Sequence, residues 1–230
     1  MSEPENESLV DVRPAAEGVV LMTLDRVHRR NALSVELREQ GAAALADLAS
    51  DESVRALVVT GAGEAFCSGF DLGEFERAGT DPAFAERLWA SSDDWHRRWL
   101  EFPVPTIAAV NGAAIAGGFD LAVMCDLRVV ARSAFFAHPE VSFGDVVYGP
   151  LHDLVGGAVA RDLCFTGRRV DATEAAALGL VSRLVDDGAA VSGAIELAAA
   201  IAEAPRASLV RLKAKVVRRS GTVIGQTLDL

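Results

Sequence analysis

Cysteine is scarce. The three residues, Cys67, Cys125 and Cys164, are odd in number and show no CxxC spacing. That argues against a disulfide framework or a cysteine-built zinc site, and it makes a reducing, cytoplasmic setting the expectation. Basic residues are outnumbered, 22 Lys and Arg against 33 Asp and Glu, for a net charge of −11. This speaks against non-specific nucleic-acid binding and against an anionic membrane surface, while leaving room for a local basic patch. No stretch approaches the roughly 18 apolar residues of a membrane helix. Met1 to Glu7 is acidic and polar, unlike a signal peptide, so residues 1–8 are expected to form a disordered tail. Linkers, low-complexity segments and long-period repeats are all missing. There is no Gly-x-Ser-x-Gly elbow, and Ser68 is the only serine in the first turn described below, which weakens a serine-hydrolase reading. Gly61-Ala62-Gly63 is followed by Phe66 where a dinucleotide fingerprint needs its third glycine.

What is present is a large apolar fraction, 50% of 230 residues, with 24% charged. A soluble globular protein with one sizeable core follows. Short apolar runs alternate with amphipathic segments: a strand at Gly18–Leu24, a helix from a Ser34 cap to about Ala49, and a strand at Val54–Thr60. A helix from Asp81 to about Leu100 follows, with Trp89, Leu100 and Trp99 available to bury. Then come a strand at Thr106–Val110, a helix at Gly118–Met124 and a strand at Asp126–Ala131. Two strands to each helix predict an α/β domain with partly parallel sheets. Asp171 to Glu174 has capping-box spacing and opens a helix that stops at Gly179.

Two glycine-containing turns carry the chemistry. One runs from Ala56 through Cys67, Ser68, Gly69, Phe70 and Asp71 to Leu72. The other runs from Thr106 through Asn111, Gly112 and Ala116 to Gly117, Gly118, Phe119 and Asp120. Each reads as strand, tight turn and helix start, which leaves backbone N–H groups pointing out of a helix N-terminus. Two such turns brought together grip one anionic oxygen from both sides, as an oxyanion hole for an activated carbonyl. Asp120 lies three residues beyond Gly117, about one helical turn away. Glu140 follows the apolar run Phe135-Phe136-Ala137, which predicts a partly desolvated carboxyl suited to moving protons beside a carbonyl. Asp71 reads as a helix cap, Gly112 as a backbone turn, the tryptophans as packing, and His138 and His152 as structural or exposed.

These residues resemble the enoyl-CoA hydratase/isomerase, or crotonase, family. The likeness rests on Asn31-Ala32-Leu33, on Ala65 to Leu72, on Val110-Asn111-Gly112 through Ala122 with Cys125-Asp126, on Pro139-Glu140, and on Thr166-Gly167 with Ala172 to Val181. The resemblance implies a spiral of ββα repeats over residues 9–190, with two nearly perpendicular sheets. A helical region at 191–230 follows, one or two helices shorter than in relatives. It further implies homotrimers or homohexamers and an acyl-CoA thioester as substrate. Coenzyme A would be part of that substrate, with no separate cofactor and no metal. Carried over by position, the N–H groups of Cys67 and Gly117 would bind the thioester oxygen, and Glu140 would be the acid/base. Asp120 would stand where hydratases place a second glutamate that helps hold water. Ser68, Gly69, Phe70, Asp71 and Leu72 would line the substrate, and Arg29 and Arg30 would lie near the CoA nucleotide.

The chain departs from the family in two further respects. Asp120 is one methylene shorter than the usual glutamate, and a misplacement of about 1 Å costs on the order of 10²-fold. The segment Val146 to Asp153 replaces a longer glycine-rich stretch and sets Asp145, His152 and Asp153 near the expected pocket wall. Hydration of a 2-enoyl-CoA therefore stands beside two alternatives: double-bond isomerisation by Glu140 alone, and a non-catalytic acyl-CoA binding module.

Overall fold

The computed structural model describes residues 8–142, 144, 146–220, 222, 225–227 and 230. The acidic tail at 1–7 and Asp145 lie outside them. The elements are β1 (Val10–Ala16), β2 (Val19–Leu24), α1 (Val35–Ser50), β3 (Ala56–Gly61), β4 (Ala65–Cys67), α2 (Leu72–Ala78) and α3 (Pro82–Leu100). They continue with β5 (Thr106–Val110), β6 (Ala113–Ile115), α4 (Gly117–Met124), β7 (Leu127–Ala131), β8 (Phe135–Ala137) and α5 (Gly149–Thr166). The last are β9 (Val170–Asp171), α6 (Ala172–Ala177), β10 (Arg183–Val185), α7 (Ala190–Ala202) and α8 (Arg206–Arg219).

The strands form two sheets, and from β3 to β8 neighbours in sequence do not pair. They divide between a six-stranded sheet, β1-β2-β3-β5-β7-β10, and a four-stranded sheet, β4-β6-β8-β9. The chain crosses from the larger sheet to the smaller one at β3–β4, β5–β6 and β7–β8, then returns through a helix or loop. That repeated passage is the ββα spiral. The ladders β2–β3, β3–β5, β5–β7, β7–β10, β4–β6 and β6–β8 are parallel, while β1–β2 and β8–β9 are antiparallel. Strands β3 and β5 are buried along their whole length, as expected of parallel strands covered on both faces.

The bends between sheets are held by side-chain amides. Asn31 is fully buried and donates to the Ala62 and Ala65 carbonyls, both at 2.9 Å, while its oxygen accepts the Arg26 N–H. Asn111 donates to the Gly61 and Gly63 carbonyls at 3.0 and 2.9 Å. Backbone carbonyls that leave a ladder at such corners need partners, and these two amides supply them. Ser34 caps α1 by accepting the Leu37 N–H, Asp71 caps α2 through Gly73, Asp81 caps α3 through Phe84, and Asp171 caps α6 through Glu174. Each cap is worth about 1 kcal/mol.

Helix α7 explains the alanine-rich C-terminal third. Ala190, Ala194, Ala198 and Ala202 recur every four residues and are buried, which lets the helix lie close against β3, β5 and β7. Helix α8 is tied down by Lys213, whose Nζ lies 2.6 Å from Asp126 Oδ2; Asp126 also accepts from the Thr106 N–H at 2.8 Å. Two expectations change here. Trp89 is 37% exposed and rests edge-on against Phe75, whereas Trp95 and Trp99 are fully buried. Strand β1 adds an edge to the larger sheet that the apolar-run reading did not assign, because Asp11, Arg13 and Pro14 interrupt it.

Candidate active site

The two glycine turns meet. Gly69 has φ +87°, and a Cβ there would lie 2.7 Å from Ala116 Cβ and 3.1 Å from Gly117 N. Only a glycine allows that approach. Gly118 in turn presses on Cys67, and a side chain at Gly118 would overlap the Cys67 carbonyl oxygen. The first turn is therefore seated on the N-terminus of α4.

Gly117 and Gly118 are the first two residues of α4, so their N–H groups have no acceptor within the helix. The residue before them, Ala116, has φ 52° and ψ −129°, a conformation that a side chain disfavours, and its N–H donates to Ala137 in β8 at 2.9 Å. Strain held by surrounding structure collects at functional positions. Replacing Ala116 by glycine removes the Cβ conflict, and we expect a gain of about 1 kcal/mol in stability, read as a raised Tm. A lowered Tm would contradict strain at this position.

Cys67 is fully buried inside β4, in register with Ala114. The Ser68 N–H donates to the Arg30 carbonyl at 3.1 Å, and the Leu33 N–H reaches the Gly69 carbonyl at 2.8 Å. Neither bond uses the Phe70 N–H. Phe70 stands past the strand and beside Gly117, three residues beyond Cys67. Its ring packs on the same place: a Cβ on Gly117 would lie 3.0 Å from two Phe70 ring carbons. The Arg38 guanidinium stands 4.4 Å over that ring and His96 stacks against it. Burial pushes the Cys67 thiol up to about 12, so it is no nucleophile.

Asp120 on α4 and Glu140 in the short 3-10 helix Pro139–Ser142 come together, and they bring His138 with them. One ligand-type atom from each lies within 4.8 Å of the others, and all three residues are buried. His138 Nδ1 is 2.8 Å from Glu140 Oε1 and 3.8 Å from Asp120 Oδ1. Asp120 Oδ1, Glu140 Oε2 and His138 Nε2 have no hydrogen-bond partner among the described residues. Burial first, and then the negative charge of Glu140, raise the Asp120 carboxyl well above the usual carboxylate range, which favours its neutral, proton-donating form. One imidazole and two carboxylates can ligate a divalent cation, and this is the one such grouping among the described residues.

The remaining expected residues surround this centre in humbler roles. Asp71 caps α2 and pairs with Arg26, whose Nη1 lies 2.6 Å from Asp71 Oδ2. Ser68 Oγ donates to the Arg29 carbonyl at 3.2 Å rather than to a base, which leaves the hydrolase reading without an activated nucleophile. Leu72 is exposed at the start of α2, and Arg29 and Arg30 are exposed beside the first turn. His152 and Asp153 sit on α5, with His152 beside Tyr148 and 3.5 Å from Asp153. His138, expected to be structural or exposed, is buried at the carboxylate pair. Its two-residue spacing from Glu140 carried the signal.

Comparison with known proteins places the chain in a family. The profile of the enoyl-CoA hydratase/isomerase family matches residues 14–228. A putative enoyl-CoA hydratase of Thermus thermophilus is 42% identical over 197 residues, covering 83% of this chain and 77% of its own. Probable enoyl-CoA hydratase 1, peroxisomal, of Arabidopsis thaliana is 32% identical, covering 100% and 86%. Among solved structures, an enoyl-CoA hydratase from Mycobacterium smegmatis superposes with a TM-score of 0.85 at 36% identity, over 95% of this chain and 86% of that one. Motifs, spiral and comparisons converge: the chain belongs to the enoyl-CoA hydratase/isomerase family.

Proposed function

We propose that the protein hydrates 2-enoyl-CoA thioesters. The observation that carries this reading is the carboxylate pair: oxygens of Asp120 and Glu140 lie within 4.8 Å of each other, beside the α4 N-terminus. With hydrogen bonds of about 2.8 Å, one water reaches both. In this reading the thioester oxygen is held by the N–H groups of Gly117 and Phe70, the latter in place of Cys67. Water adds its oxygen to Cβ while Glu140 takes its proton. The electron pair of the double bond moves onto the thioester oxygen as an enolate. Glu140 then returns the proton to Cα. Asp120, held neutral, orients the water. These groups supply the chemistry without a cofactor or metal.

The exposed Arg29 and Arg30 would meet the CoA phosphates, and Ser68 to Leu72 would border the thioester. Assembly into trimers or hexamers is consistent with the exposed Leu212 and Val216, one turn apart on α8. Among the described residues, no helix is long and apolar enough to cross a membrane, in keeping with a cytoplasmic setting.

Isomerisation is the second reading, favoured by the shortness of Asp120. Asp120→Asn separates the two, because it keeps the shape and removes the acid proton. Hydration of crotonyl-CoA, followed by loss of enoyl absorbance, is expected to fall about 10²-fold in this variant. Conversion of a 3-enoyl-CoA to its 2-enoyl isomer would stay within about 10-fold. Unchanged hydration in Asp120→Asn would leave Glu140 as sole proton shuttle and favour the isomerase.

A further inference from the structure

We propose that His138 is a positioning residue that fixes which oxygen of Glu140 takes part in proton transfer. The proposal rests on the acid/base reading of Glu140 given above. His138 Nδ1 approaches Glu140 Oε1 at 2.8 Å, a full hydrogen bond, whereas Asp120 Oδ1 at 3.8 Å is too far for one. The imidazole plane is set by packing. It stacks on Phe119 at 4.4 Å with 21° between the planes, and Phe119 leans on Phe136 at 4.9 Å. His138 has a fully buried side chain, so the ring has no freedom to turn away.

The tautomer follows from hydrogen-bond economy. His138 Nε2 is buried and has no partner among the described residues. A proton there would leave a buried donor without an acceptor, at a cost of about 1–3 kcal/mol. The proton therefore sits on Nδ1, and Nδ1–H donates to Glu140 Oε1. Glu140 Oε2 is left with no partner among the described residues and is the oxygen that exchanges protons with water or with substrate carbon. Glu140 Oε1 accepts from His138 in both halves of the cycle, so the carboxyl group does not rotate when Oε2 gains and loses its proton. His138 transfers no proton itself.

Phe119 and Asp120 are adjacent on α4, the helix that also carries Gly117. The ring that holds His138 is thus fixed to the helix that supplies the oxyanion donor. The base is thereby positioned against the oxyanion donor through one aromatic contact.

Two variants test this with acyl-CoA turnover and acyl-CoA affinity measured together. His138→Leu removes the donor and is expected to lower kcat by about 10²-fold with KM and thioester affinity within about two-fold. His138→Asn places an amide N–H near the position of Nδ1 and is expected to keep kcat within about 10-fold of the parent. A general packing defect would lower stability in both variants and would not be rescued by Asn. Wild-type kcat in His138→Leu, or equal losses in the two variants, would overturn the proposal. If His138→Leu fails to fold, the Asn variant decides it: retained turnover supports the donor role, and a loss as deep as that of Glu140→Gln overturns it. The tautomer is read independently of any substrate from nitrogen chemical shifts of protein labelled with 15N-histidine. A protonated Nδ1 and bare Nε2 at His138 is expected, and the reverse tautomer would refute the arrangement. Should Glu140→Gln retain full activity, the acid/base reading itself fails, an outcome distinct from any result at His138.

Discussion

Glu140→Gln is expected to lower kcat for acyl-CoA turnover by about 10²–10⁴-fold while acyl-CoA affinity changes less than about three-fold. The amide oxygen still accepts from His138, and the side-chain volume is preserved, so the 3-10 helix and the His138–Phe119 stack remain in place. What disappears is the ability to take a proton at the free oxygen. The loss belongs in kcat because the group acts on the reacting atoms and contributes little to holding the thioester. Steady-state kinetics with a competent enoyl-CoA, alongside calorimetric binding of a saturated acyl-CoA, check it. A variant that binds and turns over like the parent would remove Glu140 from the reaction.

Gly117→Ala is expected to cost about 10²–10³-fold in kcat, the effect of displacing one oxyanion donor. Its Cβ would lie 3.0 Å from two Phe70 ring carbons and 3.3 Å from Leu33 Cδ1. The neighbours must give by a few tenths of an ångström, and the moving parts are the Phe70 turn and the start of α4. These are the two elements that carry the proposed donors. The fold tolerates the substitution better than it would Gly118→Ala, whose side chain would overlap the Cys67 carbonyl oxygen and part the two turns. Gly117→Ala should therefore give a folded protein with a weakened oxyanion grip, and Gly118→Ala a protein of low stability. Circular dichroism melts and kcat together separate these effects. Full activity in a folded Gly117→Ala protein would count against a donor at this position.

How much of this was legible in the sequence depends on the range of the interaction. Caps at Ser34, Asp71 and Asp171 are local chemistry, and each accepts the backbone N–H that its spacing implied. Strands β2, β3, β5 and β7 of the larger sheet showed as apolar runs because they are largely covered on both faces. Strands β4, β6 and β8 have three residues each, too few to display a period, and only the motifs around them pointed to their place. The two turns were visible as turns, but which N–H lies free was not. That depends on the bonds Ser68 N–H to Arg30 and Leu33 N–H to Gly69, made across the fold. The place of His138 at the carboxylate pair was hidden for the same reason: it stacks on Phe119 and lies 3.8 Å from Asp120, both on another element. Arg38 gave no signal as an arginine within an amphipathic helix, yet it is fully buried and donates to the Leu88 carbonyl at 3.2 Å. Its burial lowers it to about 10, and it braces the Phe70 ring.

The central claim is that the joined turns stabilise a thioester enolate while Glu140 moves the proton at Cα. Its most direct test is proton exchange at Cα: the protein is incubated with an acyl-CoA thioester in deuterium oxide, and the recovered thioester is weighed by mass spectrometry. Deuterium incorporated at Cα by the parent protein, and abolished by Glu140→Gln, is the predicted result. Tight acyl-CoA binding with no deuterium gained by the parent would contradict it and identify a binding module.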